Sequence, residues 1–273
     1  MHGPPGPLRS PAVEEFTAPG DTGRSDEFGR IVRAHTALGP VPYVPEIMLH
    51  LARPADAAPE GPAATAVSSP SHEPAPGAGF GAGLGAAEPA GPRAEDGEDD
   101  RLYEMWERLG RLPFWAYAWA GGQALARHVL DHPELVRGRT VLDLAGGSGL
   151  VAVAAALAGA ARVTSNDVDP HAVAATALNA RANGVTVTVQ GGDLLDSMPA
   201  EEVILAGDVF YERPLARRVM PFLERAEGEV LVGHPERACS YLPRDRFQPA
   251  GRHLVPAPLE NAPVTAATIW RLM

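Results

Sequence analysis

Between residues 140 and 234 the chain repeats one pattern: a short apolar run, a turn carrying Gly or Asp, then a longer segment with helical spacing. The runs are TVLDLA (140–145), ARVTSND (161–167), VTVTV (185–189), VILAGD (203–208) and EVLVGH (229–234). Between them LVAVAAALA (150–158) reads as a buried Ala-rich helix. Asp169-Pro170 supplies an N-cap and first-turn residue for a helix reaching about Asn183. RPLARRVMPFLERA reads as a helix in which Pro221 implies a kink or break. Strands alternating with helices imply a mostly parallel sheet with helices on both faces. The rhythm then changes: RHLVPA and VTAATIWRLM read as two strands of an antiparallel hairpin at one sheet edge. The fold class is therefore α/β, a Rossmann-like seven-stranded sheet with a C-terminal antiparallel hairpin.

The chain before this core is uneven. Residues 1–25 are rich in Gly, Pro and charge and read as a disordered tail. Over 26–52, Phe28, Ile31 and Val32 fall at helical spacing before the Pro-punctuated apolar run VPYVPEIMLHLA, so this element is expected to dock on something. Residues 53–100 are Ala/Pro/Gly/Ser-rich without periodicity and read as a low-complexity flexible insertion. Ordered sequence resumes over 101–273 with the helical stretch RLYEMWERLG, the aromatic segment PFWAYAWAGG and the helix QALARHVLDHPEL, halted near Pro133.

Composition narrows the partners and compartment. The net charge is −11 and no basic stripe occurs, so no nucleic-acid footprint is expected. All 23 basic residues are Arg, a bias that points to a GC-rich bacterial genome. The single cysteine, Cys239, forms no internal disulfide, which suits a reducing cytoplasm. Neither a signal-peptide core at the N-terminus nor an apolar stretch of ~18 residues is present, so no membrane association is expected. His128 and His132 share a helical face but lack a third ligand nearby, so no metal is expected.

The chemistry gathers after the strands. In VLDLAGGSGLVA, Gly147 and Gly149 let the backbone approach a ligand, and the following helix N-terminus offers N–H groups. These glycines also fit a dinucleotide fingerprint, with Asp167 where a ribose-binding acid would lie. Asp143 separates the two readings. A carboxylate directed into the site repels a pyrophosphate but attracts the cationic amino group of S-adenosylmethionine. Asp167 can accept two ribose hydroxyls, while Asp169 before Pro170 is the better cap. Asp143, Asp167, Asp193 and Asp208 thus fall in series near successive strand ends, where such sheets bind ligands. Trp119 and Gly121, from the aromatic segment, are further candidates for the cofactor; an indole face can cover a cation. Directly after the fourth run, Asp208, Tyr211 and Glu212 can hold and wall an incoming amine, which must be neutral to attack.

The spacing Asp143-x-Ala145-x-Gly147-x-Gly149 resembles motif I of the class I methyltransferases, with Ala145 at a place where glycine is more frequent. More widely, FGRIVRAHTALGPVPYVPEIMLHLA, PFWAYAWAGGQALARHVLDHPEL, VLDLAGGSGLVAVAAA, NDVDPHAVAATALNARANGV and GDVFYERPLA resemble the electron-transfer-flavoprotein β-subunit lysine methyltransferases and their bacterial relatives. That resemblance covers residues 28–52 and about 101–273. It implies S-adenosylmethionine as cofactor and lysines of a partner protein as methyl acceptors. It further implies Trp119, Gly121, Asp143, Gly147, Gly149, Asp167 and Asp193 as cofactor contacts, Asp193 near the adenine amino group, and Asp208 with Tyr211 at the substrate end. The insertion 53–100 departs from the family. Methylation of a small amine, and nicotinamide-dependent oxidation, are the alternatives to this reading.

Overall fold

The computed structural model describes residues 22–52, 112–236, 240–256 and 263–273. The expected insertion over 53–100, the stretch RLYEMWERLG and Cys239 lie outside these residues, as does the expected tail except for its last four positions. Those four open helix α1 (Thr22–His35), which therefore starts before the boundary expected at residue 26.

The sheet follows from how its strands bury both faces. Strands β3 (Thr140–Leu144), β4 (Arg162–Asp167), β6 (Val203–Gly207) and β7 (Glu229–Pro235) are parallel and stand in the order β4-β3-β6-β7. Successive side chains point to opposite faces of a strand. Val141, Val203, Leu205 and Leu231 accordingly join one buried cluster, with residues of α2 (Ala120–Asp131) and α3 (Leu150–Leu157). Leu142, Ile204, Ala206, Val230 and Val232 join the other, with Val219, Phe222 and Leu223 of α5 (Arg213–Glu224). Helices thus cover both faces. Strand β5 (Thr188–Gly191) extends the sheet beyond β4, and the antiparallel pair β8 (Phe247–Pro256) and β9 (Val264–Leu272) closes the far side. The full order is β5-β4-β3-β6-β7-β9-β8.

Two expectations need correction. The run VTVTV at 185–189 is not itself the third strand. Val185 N–H still donates to Ala180 O at the end of α4 (Pro170–Ala182), and pairing with β4 begins only at Thr188. Helix α5 is not broken at Pro221 either. The proline sits in its last turn on an exposed position, where the missing N–H removes a single bond.

Residues 22–52 form a structured element. After α1, β1 (Thr36–Val41) and β2 (Val44–Ala52) pair antiparallel around Pro42-Tyr43. Val41, Val44, Ile47 and Leu49 are fully buried against Ala126, Leu150, Val153 and Ala154. Burying each of the two larger chains contributes about 1.5–3 kcal/mol. The hairpin's backbone is met by side-chain amides. Asn183 accepts Met48 N–H at 2.8 Å and donates to Met48 O at 2.6 Å, and Gln123 accepts Tyr43 N–H at 3.2 Å. Among the described residues no helix is long and apolar enough to cross a membrane, and no group of three or more His, Cys, Asp or Glu is placed to hold a metal ion.

Candidate active site

Because β3, β4, β6 and β7 run parallel, their C-terminal ends share one edge of the sheet. The strand order reverses between β3 and β6, so the turns after these two strands flank a switch point, the usual ligand crevice of an open α/β sheet.

The turn after β3 is built around three left-handed residues: Ala145 (φ 55°), Gly147 (φ 55°) and Gly149 (φ 76°). Ala145 accepts a conformation that glycine adopts without steric cost. Beneath the turn lies Asp143, 1% exposed. Its Oδ2 accepts the Ser165 hydroxyl at 3.1 Å and the Ala152 N–H at 3.2 Å. Burial pushes this carboxyl up to about 7 against those two bonds, and Asp167 adds to the rise. A Cβ on Gly146 would lie 2.7 Å from the same oxygen. Where the sequence suggests a carboxylate directed at a ligand, Oδ2 is thus engaged inward and braces the turn against α3.

Asp167, at the end of β4, holds the turn from the side. Its Oδ2 accepts Gly147 N–H and its Oδ1 accepts Asp169 N–H, both at 2.9 Å. Burial raises this carboxyl above the ordinary range, opposed by the same backbone donors. Asp169 caps α4 as its place before Pro170 suggests, accepting His171 N–H at 2.9 Å. Neither Asp143 nor Asp167 is ion-paired with an arginine among the described residues.

Across the switch point, Asp208 follows β6 directly and is itself left-handed at φ 56°, which costs a non-glycine residue energy and is concentrated at functional sites. Its N–H donates to Gly233 O at 2.9 Å, and its Oδ2 accepts Gly122 N–H at 2.8 Å in the first turn of α2. Gly121 is needed there for close approach, since a Cβ would lie 2.6 Å from Asp208 Oδ2. Tyr211, three residues after Asp208, joins an aromatic rim. Phe114 lies 5.8 Å from Trp119 and 5.7 Å from Tyr211 between ring centroids, and Tyr117 lies 5.9 Å from Trp119. The Trp119 indole N–H is held by Phe114 O at 2.8 Å. Burial raises the Tyr211 phenol pKa, and the charges of Glu212 and Asp167 add to it. Glu212 is the exposed N-cap of α5.

Asp193, after β5, is exposed. Its carboxylate pairs with Arg218 of α5 at 2.7 Å and accepts Leu195 N–H at 3.0 Å, and the guanidinium holds its pKa below the usual range. Trp115 is the residue that sequence reasoning undervalues against Trp119. It is 1% exposed, its Cα is 3.9 Å from where a Gly147 Cβ would sit, and its buried Nε1 has no hydrogen-bond partner among the described residues.

Strand order and site together define a class I S-adenosylmethionine-dependent methyltransferase. The residues fit that cofactor. Among the described residues the buried acids have no arginine partner and so favour a cation, Gly147 meets only the Trp115 Cα at ordinary van der Waals distance, and the buried indole N–H of that same Trp115 lacks a hydrogen-bond partner.

Comparison with known proteins agrees. Residues 124–210 match the family of the ribosomal protein L11 methyltransferase (PrmA). The chain is 35% identical over 179 residues to the electron transfer flavoprotein beta subunit lysine methyltransferase of Mus musculus, covering 60% of this chain and 70% of the relative. It is 37% identical over 187 residues to that of Xenopus laevis (61% and 74%) and 40% identical over 143 residues to that of Homo sapiens (48% and 54%). The chain belongs to the electron transfer flavoprotein beta subunit lysine methyltransferase family.

Proposed function

We propose that the chain N-methylates lysine on a partner protein of the electron-transfer-flavoprotein β-subunit type, in the cytoplasm of a bacterium. The observation that carries this reading is Asp208: a strained acid fixed by Gly122 N–H at the switch point, three residues before Tyr211, which joins the rim of Phe114 and Trp119. In the proposed arrangement Ala145, Gly147, Gly149 and Asp167 hold the cofactor, with Asp143 bracing the turn and Trp119, Gly121 and Asp193 at its margins. When bound, S-adenosylmethionine supplies an electrophilic methyl group. A lysine amine is normally protonated, with a pKa of about 10.4, and must lose that proton to act as a nucleophile. Asp208 orients the amine by accepting a hydrogen bond from it, Glu212 offers a second carboxylate at the entrance, and the aromatic rim excludes water from the approach. The net charge of −11 suits a basic target segment.

The test is incubation of the purified chain with S-adenosylmethionine and an electron-transfer-flavoprotein β-subunit, read by mass spectrometry. Lysine methylation is expected, together with its loss in Asp208→Ala while S-adenosylhomocysteine still binds. Methyl transfer confined to a protein-free metabolite fraction would replace this reading with a small-amine substrate.

A further inference from the structure

Two sets of contacts beside the glycine turn originate in residues 22–52 and take no part in the reaction described above. The first is an aromatic stack. Phe28 of α1 meets the His171 ring edge-on at 4.8 Å, and the Trp115 ring lies over the same imidazole at 6.0 Å and 11°. His171 Nδ1 is 3.1 Å from Asp169 Oδ1, and Asp169 N–H in turn donates to Asp167. The Trp115 backbone borders Gly147. The second is an amide bridge. Asn179 of α4, fully buried, donates to Ser148 O at 2.8 Å within the glycine turn and accepts His50 N–H at 2.8 Å from β2. Each set therefore begins on the N-terminal element and ends on the turn or on the acid beside it.

We propose that residues 22–52 are part of the cofactor site, with His171 and Asn179 as positioning residues that transmit the docking of α1 and β2 to Asp167 and the glycine turn. The physical reason lies in the turn. With glycine at 146, 147 and 149 it has almost no side chains with which to pack itself, so its geometry must be imposed by neighbours. A turn already ordered in the free chain loses less freedom on binding, and the difference appears as affinity. The inference rests on the methyltransferase class alone and is independent of which acceptor receives the methyl group.

The test uses the full chain, with S-adenosylhomocysteine binding by calorimetry beside the thermal unfolding of the ligand-free protein. Phe28→Ala removes one end of the stack, His171→Phe keeps the ring without the Nδ1 contact, and His171→Asn keeps a donor to Asp169 without the ring. Phe28→Ala is expected to weaken binding by about 2- to 12-fold, the range one aromatic pair contributes. Each His171 variant should retain part of the wild-type affinity. Phe28→Leu, which keeps apolar volume without the ring, gives the same reading where the alanine variant folds poorly. A lowered unfolding temperature with unchanged affinity would make the contacts merely structural and overturn the proposal. Failure of the wild-type chain to bind would instead overturn the methyltransferase reading, and this proposal with it.

Discussion

Gly149→Ala tests the glycine turn by two separable costs. At φ 76°, alanine occupies the left-handed region at about 1–2 kcal/mol. Its Cβ would also lie 2.6 Å from Thr176 Cγ2 and 2.8 Å from Thr176 Oγ1, well inside the ordinary carbon contact of about 3.5–4.0 Å. Thr176 is 1% exposed and donates to Gly147 O at 3.3 Å, so it cannot turn aside without giving up packing and that bond. Overpacking of this kind costs about 1–3 kcal/mol, for a total near 2–5 kcal/mol. Thr176→Ala removes these two atoms and leaves only its Cβ, 3.0 Å from the new methyl group. In the double variant the backbone cost of position 149 and the residual Cβ contact should remain, giving a coupling of up to about 1–3 kcal/mol between the two sites. Urea unfolding of the four proteins, followed by tryptophan fluorescence, measures that cycle. Additivity within about 0.5 kcal/mol would refute the steric half of the reasoning.

Three further outcomes follow from burial. Because burial raises the Asp143 carboxyl from 3.8 to about 7, the native chain between these values holds a proton that the unfolded chain has released, and stability falls as pH rises through that window. Asp143→Asn should therefore gain in unfolding temperature relative to wild type as pH is raised across it; parallel profiles would count against a buried titrating acid. His128 shows the reverse case. Burial, then His132 and His253, lowers its pKa from 6.5 to about 4, so its contribution is complete above 6.5 and is lost as pH falls toward 4. His128→Gln should flatten the acid limb of an unfolding-temperature profile. Ile47→Ala, at a fully buried position of the N-terminal hairpin, should cost about 2–5 kcal/mol in chemical denaturation, and a cost near zero would mean that the hairpin is not docked.

What the sequence made legible depends on burial. The runs at 140, 161, 203 and 229 correspond to β3, β4, β6 and β7 to within one residue at each end, because a strand covered on both faces needs a continuous apolar segment. β5 lies at the sheet edge with mostly exposed side chains, so no buried face fixes its register, and the alternation in VTVTV misplaces it. The prolines at 40, 42 and 45 hide the N-terminal hairpin, since proline is depleted in strands; here they stand in a lone two-stranded ladder and its turn. Spacing singles out Asp167 and the glycines as candidates, and the structure joins Asp167 to the glycine turn through Gly147 N–H, whereas the inward engagement of Asp143 has no such mark in the sequence. Its partners Ser165 and Ala152 are ordinary residues in sequence. Trp115, Tyr117 and Trp119 alternate as if in a strand, yet the chain forms a 3-10 turn over Phe114–Ala116, which turns Trp115 inward. The Asn179 bridge joins positions 129 residues apart and leaves no local signature.

The amides that hold β2 have a consequence for connectivity. Asn179, Asn183 and Gln123 grip the hairpin from 80 to 135 residues further along the chain, and its apolar face is sealed by α2 and α3. None of these contacts passes through residues 53–111. The attachment is that of a ligand to a receptor, with the covalent link serving to set the local concentration. A peptide spanning residues 22–52, supplied in trans to a chain beginning after the interruption, carries the groups required for fragment complementation.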